Sequence, residues 1–88
     1  MCTWITHKLA ISGHGKGTSD WTALRTAVVY YDHPAHAPLE HALIIDFLNE
    51  AAGPGARVAV ELSADSARAL VRAIEAALAT GERQATQD

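Results

Sequence analysis

The sequence has little of what marks the common specialised classes of small protein. It holds a single cysteine, Cys2, so no disulfide can form within the chain. Seven lysines and arginines against ten aspartates and glutamates give a formal charge of −3, whereas phosphate binding requires a clustered excess of basic residues. No apolar run approaches the roughly 18 residues of a membrane-spanning helix. These absences exclude a disulfide framework and predict no nucleic-acid partner and no membrane partner.

Length and composition predict one domain that associates with itself. An 88-residue chain has room for one core, and it buries only roughly 60–65% of its unfolded surface. Since 49% of the residues are hydrophobic, the chain carries more apolar surface than so small a core can hide. The first residues show no signal-peptide pattern, and the lone cysteine suits a reducing compartment. We therefore expect a cytoplasmic protein.

Cys2 follows the initiator methionine. Removal of Met1 would place a free amine beside the thiol, a pair that can chelate a metal or act as a nucleophile. The simpler interpretation, which we favour, is a small residue at the start of a strand.

Alternating apolar and polar residues predict four strands. Counted along the chain, they span residues 2–12, 26–32, 41–48 and 57–62. The glycine-rich stretch 13–20 is expected to be a loop, and residues 21–25 are taken as a continuation of that loop. Pro34 and Pro38 cannot donate to a strand ladder, so they belong to a connection. The last strand alternates as a half-exposed edge strand does.

The C-terminal part of the chain predicts one amphipathic helix. Ser63 is placed to cap its N-terminus, and Asp65 lies in the first turn, where its charge suits the helix dipole. Apolar residues then recur at a spacing of three and four, which forms a single stripe of Ala67, Leu70, Val71, Ile74, Ala77 and Leu78. Gly81 is expected to end the helix, and residues 82–88 are expected to form a mobile polar tail.

This order of elements predicts an α+β fold, a four-stranded, mostly antiparallel sheet with one C-terminal helix packed on one face, in a single domain over residues 1–81. The two middle strands are apolar on both sides, with Val29 and Ile45 on one side and Val28 and Ile44 on the other. One helix covers one face only, so we expect a second copy to cover the other, in a homodimer formed by sheet-to-sheet or edge contact.

Three histidines and two aspartates interrupt the apolar strands in YYDHPAHAPLEHALIIDF, residues 30–47. In a hairpin whose paired residue numbers sum to 74, His33 would lie opposite His41, and the two imidazoles would meet. Sequence leaves this register open, because the connection holds two prolines. Asp32 and Asp46 have even numbers, so in this register they lie on the opposite side of the hairpin from His33 and His41 and form a separate set of candidates. An unpaired carboxylate in an apolar strand is costly, so Asp46 requires a partner such as an arginine, a histidine or the opposite subunit.

General acid and base chemistry is one interpretation of this cluster. Histidine titrates near neutrality, and a neighbouring carboxylate fixes its tautomer. The catalytic candidates are His33, His41, Asp46 and Tyr31, and the candidates for binding an apolar ligand are His7, Trp4, Trp21 and Tyr30. A small homodimer with these groups would isomerise, cyclise or dehydrate a mostly apolar organic molecule by moving protons, without a cofactor.

Two other functions fit the same residues. A divalent metal such as zinc suits the ligand types of His33, His36, His41 and Asp32, although their spacing matches no established metal motif. A noncatalytic protein that carries an apolar small molecule is the third alternative. The plainest structural interpretation gives Asp32 a turn role, in which its carboxylate accepts backbone N–H bonds beside Pro34.

The stretch GHGKGT, residues 13–18, invites comparison with a phosphate-binding loop. The motif requires Ser or Thr directly after GK and a helix to follow, whereas Gly17 intervenes and a strand follows in this chain. A flexible hairpin loop is the preferred interpretation.

The order of MCTWIT, GHGKG, VVYYDHPAH, HALIIDF and RVAVELS resembles that of a family of short, uncharacterised actinobacterial proteins, grouped as a domain of unknown function. The resemblance spans nearly the whole chain. It implies a self-contained bacterial protein attached to specialised metabolism, and it transfers no catalytic residue.

Overall fold

The computed structural model describes residues 5–17 and 20–87. Its elements are β1 (His7–Lys16), β2 (Trp21–Asp32), β3 (Ala42–Leu48), a 3₁₀ turn (Glu50–Ala52), β4 (Arg57–Leu62) and the helix α1 (Ala64–Gln87). The four strands form one antiparallel sheet in the order β1-β2-β3-β4. The predicted α+β fold is therefore confirmed. Trp4 and the predicted start of the first strand at Cys2 fall outside the described residues.

The first hairpin is longer than the sequence predicts. The stretches 13–20 and 21–25 were both expected to be loop, yet β1 continues to Lys16, β2 begins at Trp21, and those two residues are paired. At Gly15, the packing of a neighbouring side chain favours a glycine within β1. A Cβ added there would lie 2.7 Å from Leu24 Cδ1, so the missing side chain leaves room for Leu24, which is buried.

β1 also contains a bulge. The pairing shifts between Ala10 and Gly13, where Ile11 and Ser12 stand opposite Arg25 alone. An extra residue on one strand bends that strand and increases its local twist. The sequence pattern gave no signal for this irregularity.

The hairpin of β2 and β3 has the register in which residue numbers sum to 74, from Thr26 opposite Leu48 to Asp32 opposite Ala42. The strongest apolar matches, such as Val29 opposite Ile45, fall on one side of the sheet, and a shift of one residue would exchange the two sides. The register considered from the sequence is confirmed. β4 has the predicted bounds and lies at the edge of the sheet next to β3.

The helix begins as predicted and ends later than predicted. Ser63 Oγ accepts a hydrogen bond of 3.1 Å from the Ser66 N–H, which caps the N-terminus. The helix passes through Gly81 and continues to Gln87, so the expected end at Gly81 is wrong. Gly81 does not adopt the positive φ of a glycine cap, and the residues that follow, ERQA, are mostly good helix formers.

The two sides of the sheet are covered differently. The side that lies next to α1, called the helix side here, carries Val29, Tyr31, Leu43, Ile45, Phe47 and Leu62. The opposite side, called the loop side, carries Tyr30, Ala42, Ile44, Asp46, Arg57 and Glu61. On β3 the loop-side residues are buried, whereas the helix-side residues are half-buried. Part of the loop side is covered within one chain, because the connection between β2 and β3 binds Glu61 on that face.

The core within one chain is small. Among the described residues, the buried apolar side chains are Leu24, Ala27, Ala42, Ile44 and Ala56, and three of these are alanines. Most of the helix is exposed. In the described part of the chain, no helix is both long enough and apolar enough to cross a membrane.

Candidate functional site

Three aromatic rings form a stack at one end of the helix side. Hairpin pairing places His33 and His41 on this side beyond Tyr31. The centroids of the His33 and His41 rings lie 4.7 Å apart at an interplanar angle of 29°, and those of Tyr31 and His41 lie 5.7 Å apart at 21°. Both separations fall in the range of favourable aromatic contacts. The predicted meeting of the two imidazoles therefore occurs.

A backbone contact fixes the orientation of the outer ring of this stack. His33 Nδ1 lies 2.9 Å from the carbonyl oxygen of Glu40. A carbonyl oxygen only accepts hydrogen bonds, so this geometry requires a proton on Nδ1. In the neutral imidazole Nε2 then carries the lone pair, and it is the atom that can accept a proton or a ligand hydrogen bond.

An apolar cleft adjoins the stack. It has a volume of about 390 Å³ and lies between the sheet, at Tyr31 and Leu43, and the first turns of α1, at Ala64, Ala67 and Arg68. Arg68 brings a cation to its rim, with Nη1 3.7 Å from Asp65 Oδ1 in a largely exposed pair. The cleft thus combines an aromatic wall, small apolar residues and one positive charge, which are features of small-molecule sites.

Asp46 belongs to a different cluster, on the loop side. Arg57 donates to Asp46 Oδ1 from Nη2 at 2.7 Å and from Nε at 3.1 Å, and the Tyr30 hydroxyl donates to Oδ2 at 3.3 Å. The expectation that this carboxylate requires a partner is confirmed. Burial, and then the negative charge of Asp46, raise the pKa of Tyr30 above its ordinary value. Within one chain this carboxylate lies across the sheet from the two histidines, so it does not orient them.

A second carboxylate on the loop side holds the connection between β2 and β3. The Glu61 oxygens accept hydrogen bonds from the backbone N–H groups of Ala35 at 2.6 Å, His36 at 3.1 Å and Ala37 at 2.7 Å. These bonds, first that of Ala37 and then that of Ala35, lower the pKa of Glu61. The contact fixes the loop that separates the two stacked histidines along the chain.

Asp32 has the turn role that the plainest interpretation gave it. Its Oδ1 accepts a hydrogen bond of 2.7 Å from the His33 N–H at the start of the connection. The bond stabilises the point at which the chain leaves β2.

The remaining ligand-binding candidates lie apart from the stack. His7 is on the helix side, paired with Val29, and is exposed. Trp21 is exposed at the other end of β2, ten residues from Tyr31, which corresponds to roughly 33 Å along a strand. Tyr30 belongs to the Asp46 cluster. Trp4 is outside the described residues.

The metal candidates do not converge. Over residues 5–17 and 20–87 no group of three or more His, Cys, Asp or Glu side chains is arranged to hold a metal ion. Of the candidates, His33 and His41 stack face to face, the backbone of His36 binds Glu61, and Asp32 binds the His33 N–H. The geometry within one chain therefore gives the metal interpretation no support.

Sequence reasoning missed three residues that shape this region. Arg57 was not singled out from the sequence, although an arginine was among the partners expected for Asp46. Arg68 reaches the cleft from the first turns of α1, and Glu61 of β4 binds the loop between β2 and β3. Their contacts follow from how those connections turn, for which alternation along a strand gives no signal.

Comparison with known proteins finds a family match without an activity. A family of unknown function, DUF6295, matches residues 1–87. No curated protein and no solved structure matches the chain. The resemblance seen in the sequence to a domain of unknown function is confirmed.

Proposed function

Since the chain belongs to DUF6295, a family whose function is unknown, we propose from its site geometry that it is a homodimeric protein that binds a mostly apolar, planar organic molecule. The binding site is the stack of Tyr31, His41 and His33 together with the cleft beside it. The observation that carries this proposal is the position of an aromatic stack directly at an apolar cleft.

The chemistry of the cleft indicates the class of ligand. A planar molecule would lie against the exposed part of the aromatic wall, where offset stacking adds to the burial of apolar surface. Leu43, Ala64 and Ala67 offer apolar contacts, and the Arg68 guanidinium would pair with an acidic or carbonyl group at one end of the molecule. A ligand with one apolar ring and one oxygen-bearing end fits these features.

Proton transfer is the reaction that this site would catalyse. With Nδ1–H donating to the Glu40 carbonyl, Nε2 of His33 would accept a proton from an acidic C–H of the ligand and return it to another position. The same hydrogen bond would stabilise the imidazolium formed in between. Tyr31 would orient the ligand by stacking, and His41, the central ring, would hold His33 and Tyr31 in place. Asp46 has no part in this mechanism, which changes the catalytic set proposed from the sequence.

Binding is tested by nuclear magnetic resonance with a library of small aromatic acids and ketones, added to uniformly ¹⁵N-labelled protein. We expect shift changes at Tyr31, His33 and Ala67, and we expect His41→Ala to abolish them. His14→Ala is the matched control, since His14 is an exposed histidine of β1 that lies outside the stack. A library without effect at these residues, or equal binding by His41→Ala, would refute the proposal.

Catalysis is tested separately with the compounds that bind. In D₂O, His33 should exchange an acidic C–H of a bound compound for deuterium, and His33→Ala should abolish this exchange while the melting temperature stays within a few degrees. Binding without exchange would leave the noncatalytic carrier. Loss of folding in both His33→Ala and His41→Ala would indicate a structural network instead. A place in bacterial specialised metabolism is part of the proposal, and the genes beside this one would test it.

A further inference from the structure

Apolar side chains of α1 remain open to solvent along its length. The exposed fractions are 44% for Leu70, 55% for Val71, 50% for Ile74 and 55% for Leu78. These four residues, called the apolar stripe here, lie on one side of the helix. A stripe of this size on an isolated domain would be a large hydrophobic patch in water.

The stripe borders a wedge between the helix and its own sheet. The wedge has a volume of about 310 Å³. Val29, Ile45 and Leu62 line it from the helix side of the sheet, and Leu70, Val71 and Ile74 line it from α1. Apart from the stem of Arg68, every lining residue is apolar. Because helix and sheet do not close on each other, both walls lack the packing that a core requires.

The surface area of the whole chain agrees with this picture. The chain exposes 6764 Å², whereas a compact monomer of 9.3 kDa exposes about 5,000 Å², so the excess is roughly 1,800 Å². The radius of gyration is 15.2 Å, against about 12 Å for a compact chain of this length. If two copies buried that excess, the interface would total roughly 3,600 Å², which lies in the range of obligate homodimers.

We propose that a second copy of this chain covers the wedge, with the two α1 helices packed antiparallel about a twofold axis near Ile74. Leu70 and Leu78 lie four residues before and four residues after Ile74. A twofold axis at Ile74 therefore sets Leu70 of one protomer against Leu78 of its partner. The two stripes and the two helix sides of the sheets then form one shared core.

The flank beside the stripe carries charges of both signs. Arg68 lies six residues before Ile74 and Glu82 lies eight residues after it, on the same flank of the stripe. An antiparallel pair about Ile74 brings Arg68 of one helix towards Glu82 of the other, and it also sets Glu75 beside its own copy, so these charges do not determine the direction of packing. The excess area matches what an obligate homodimer buries, and the symmetric spacing of Leu70 and Leu78 about Ile74 lets the stripe pack on a second copy of itself.

The first experiment measures the mass of the full chain in solution by light scattering at micromolar concentration. We expect twice the chain mass of 9.3 kDa. Ile74→Glu places a charge at the centre of the interface and should abolish the dimer, whereas Ala76→Glu places the same charge on the opposite side of the same helix and should leave it intact. A monomeric wild-type protein would overturn the proposal.

The second experiment tests the same interface by another route, in case Ile74→Glu fails to fold. In a Cys2→Ser background, Ile74→Cys should form an intermolecular disulfide on mild oxidation, because a residue on the twofold axis meets its own copy. Ala76→Cys should not form one. A dimer that crosslinks through Ala76→Cys and not through Ile74→Cys would refute this interface.

The interface does not depend on the proposed binding function. The wedge and the ligand cleft share Leu43, Ala67 and Arg68, so a partner helix would also form part of the ligand site. A dimer that binds none of the test compounds would support the interface and refute the function. A monomer that binds them would refute the interface and the dimeric part of the proposed function, and it would support the binding site.

Discussion

Breaking the contact between Arg57 and Asp46 should lower the stability of the fold more than most other single substitutions on the loop side. The Asp46 side chain is 13% exposed and accepts two hydrogen bonds from the guanidinium. Arg57→Met keeps most of the aliphatic stem and removes the charge, which leaves a mostly buried carboxylate with only the Tyr30 hydroxyl at 3.3 Å. A buried charge without its partner is costly.

The magnitude follows from burial. Breaking a fully buried ion pair costs about 3–5 kcal/mol. Since 52% of the Arg57 side chain is exposed, water replaces part of the lost interaction, and we expect about 2 kcal/mol, within the range for hydrogen bonds to charged groups. For a domain of this size the melting temperature would fall by about 8–16 °C.

The assay is urea unfolding followed by circular dichroism, at one fixed protein concentration because the proposed association would contribute to stability. Arg25→Met on β2 is the matched control, since Arg25 is an exposed strand arginine, and it should change the free energy of unfolding by less than about 0.5 kcal/mol. Replacing both partners, as Asp46→Leu with Arg57→Met, should recover most of the loss. An Arg57→Met protein as stable as the wild type would refute the reasoning.

The contacts of Glu61 and Gly15 give two further predictions. The lowered pKa of Glu61 means that its contribution to stability is present above its ordinary value of 4.5 and is lost as the pH falls through the depressed value. The amides of the loop that it binds should therefore lose protection against exchange in acid, relative to their intrinsic exchange rates at each pH, and Glu61→Gln should reduce that protection already at neutral pH. Protection that is unchanged in both conditions would contradict this role. Gly15→Ala would bring a Cβ to 2.7 Å from Leu24 Cδ1 and should cost about 1–3 kcal/mol, whereas Gly13→Ala, which meets nothing within 4 Å, should cost less; equal melting temperatures would refute the packing argument.

Alternation along the chain predicts those parts of the fold in which one side of a strand is more buried than the other. β4 has the predicted bounds, and the β2–β3 register follows from matching Val29 to Ile45. The first hairpin could not be predicted in this way, because GHGKG looks like a loop until Leu24 is seen to fill the space above Gly15. The helix end was missed since a glycine stop is a local preference, and good helix formers on its far side outweigh it.

The candidate site was predictable to the same extent. The shared parity of His33 and His41 is readable from the sequence, but their meeting also requires the register in which residue numbers sum to 74, which the sequence left open. The separation of Asp46 from these histidines follows from the same parity, yet grouping residues by chemical type placed them together. The hydrogen bond from His33 to the Glu40 carbonyl and the contact of Glu61 with the loop depend on how nine residues between two strands turn. A single sequence carries no periodic signal for that path.

The meander order of the sheet makes its contacts local along the chain. Each strand pairs only with the strand before and the strand after it, so every hairpin closes a short loop, and closing a short loop loses little chain entropy. Folds dominated by such pairings have low contact order and reach their topology quickly. Sheet formation should therefore be fast and independent of protein concentration. The late step in folding should be the burial of the α1 stripe, and its rate should rise with protein concentration.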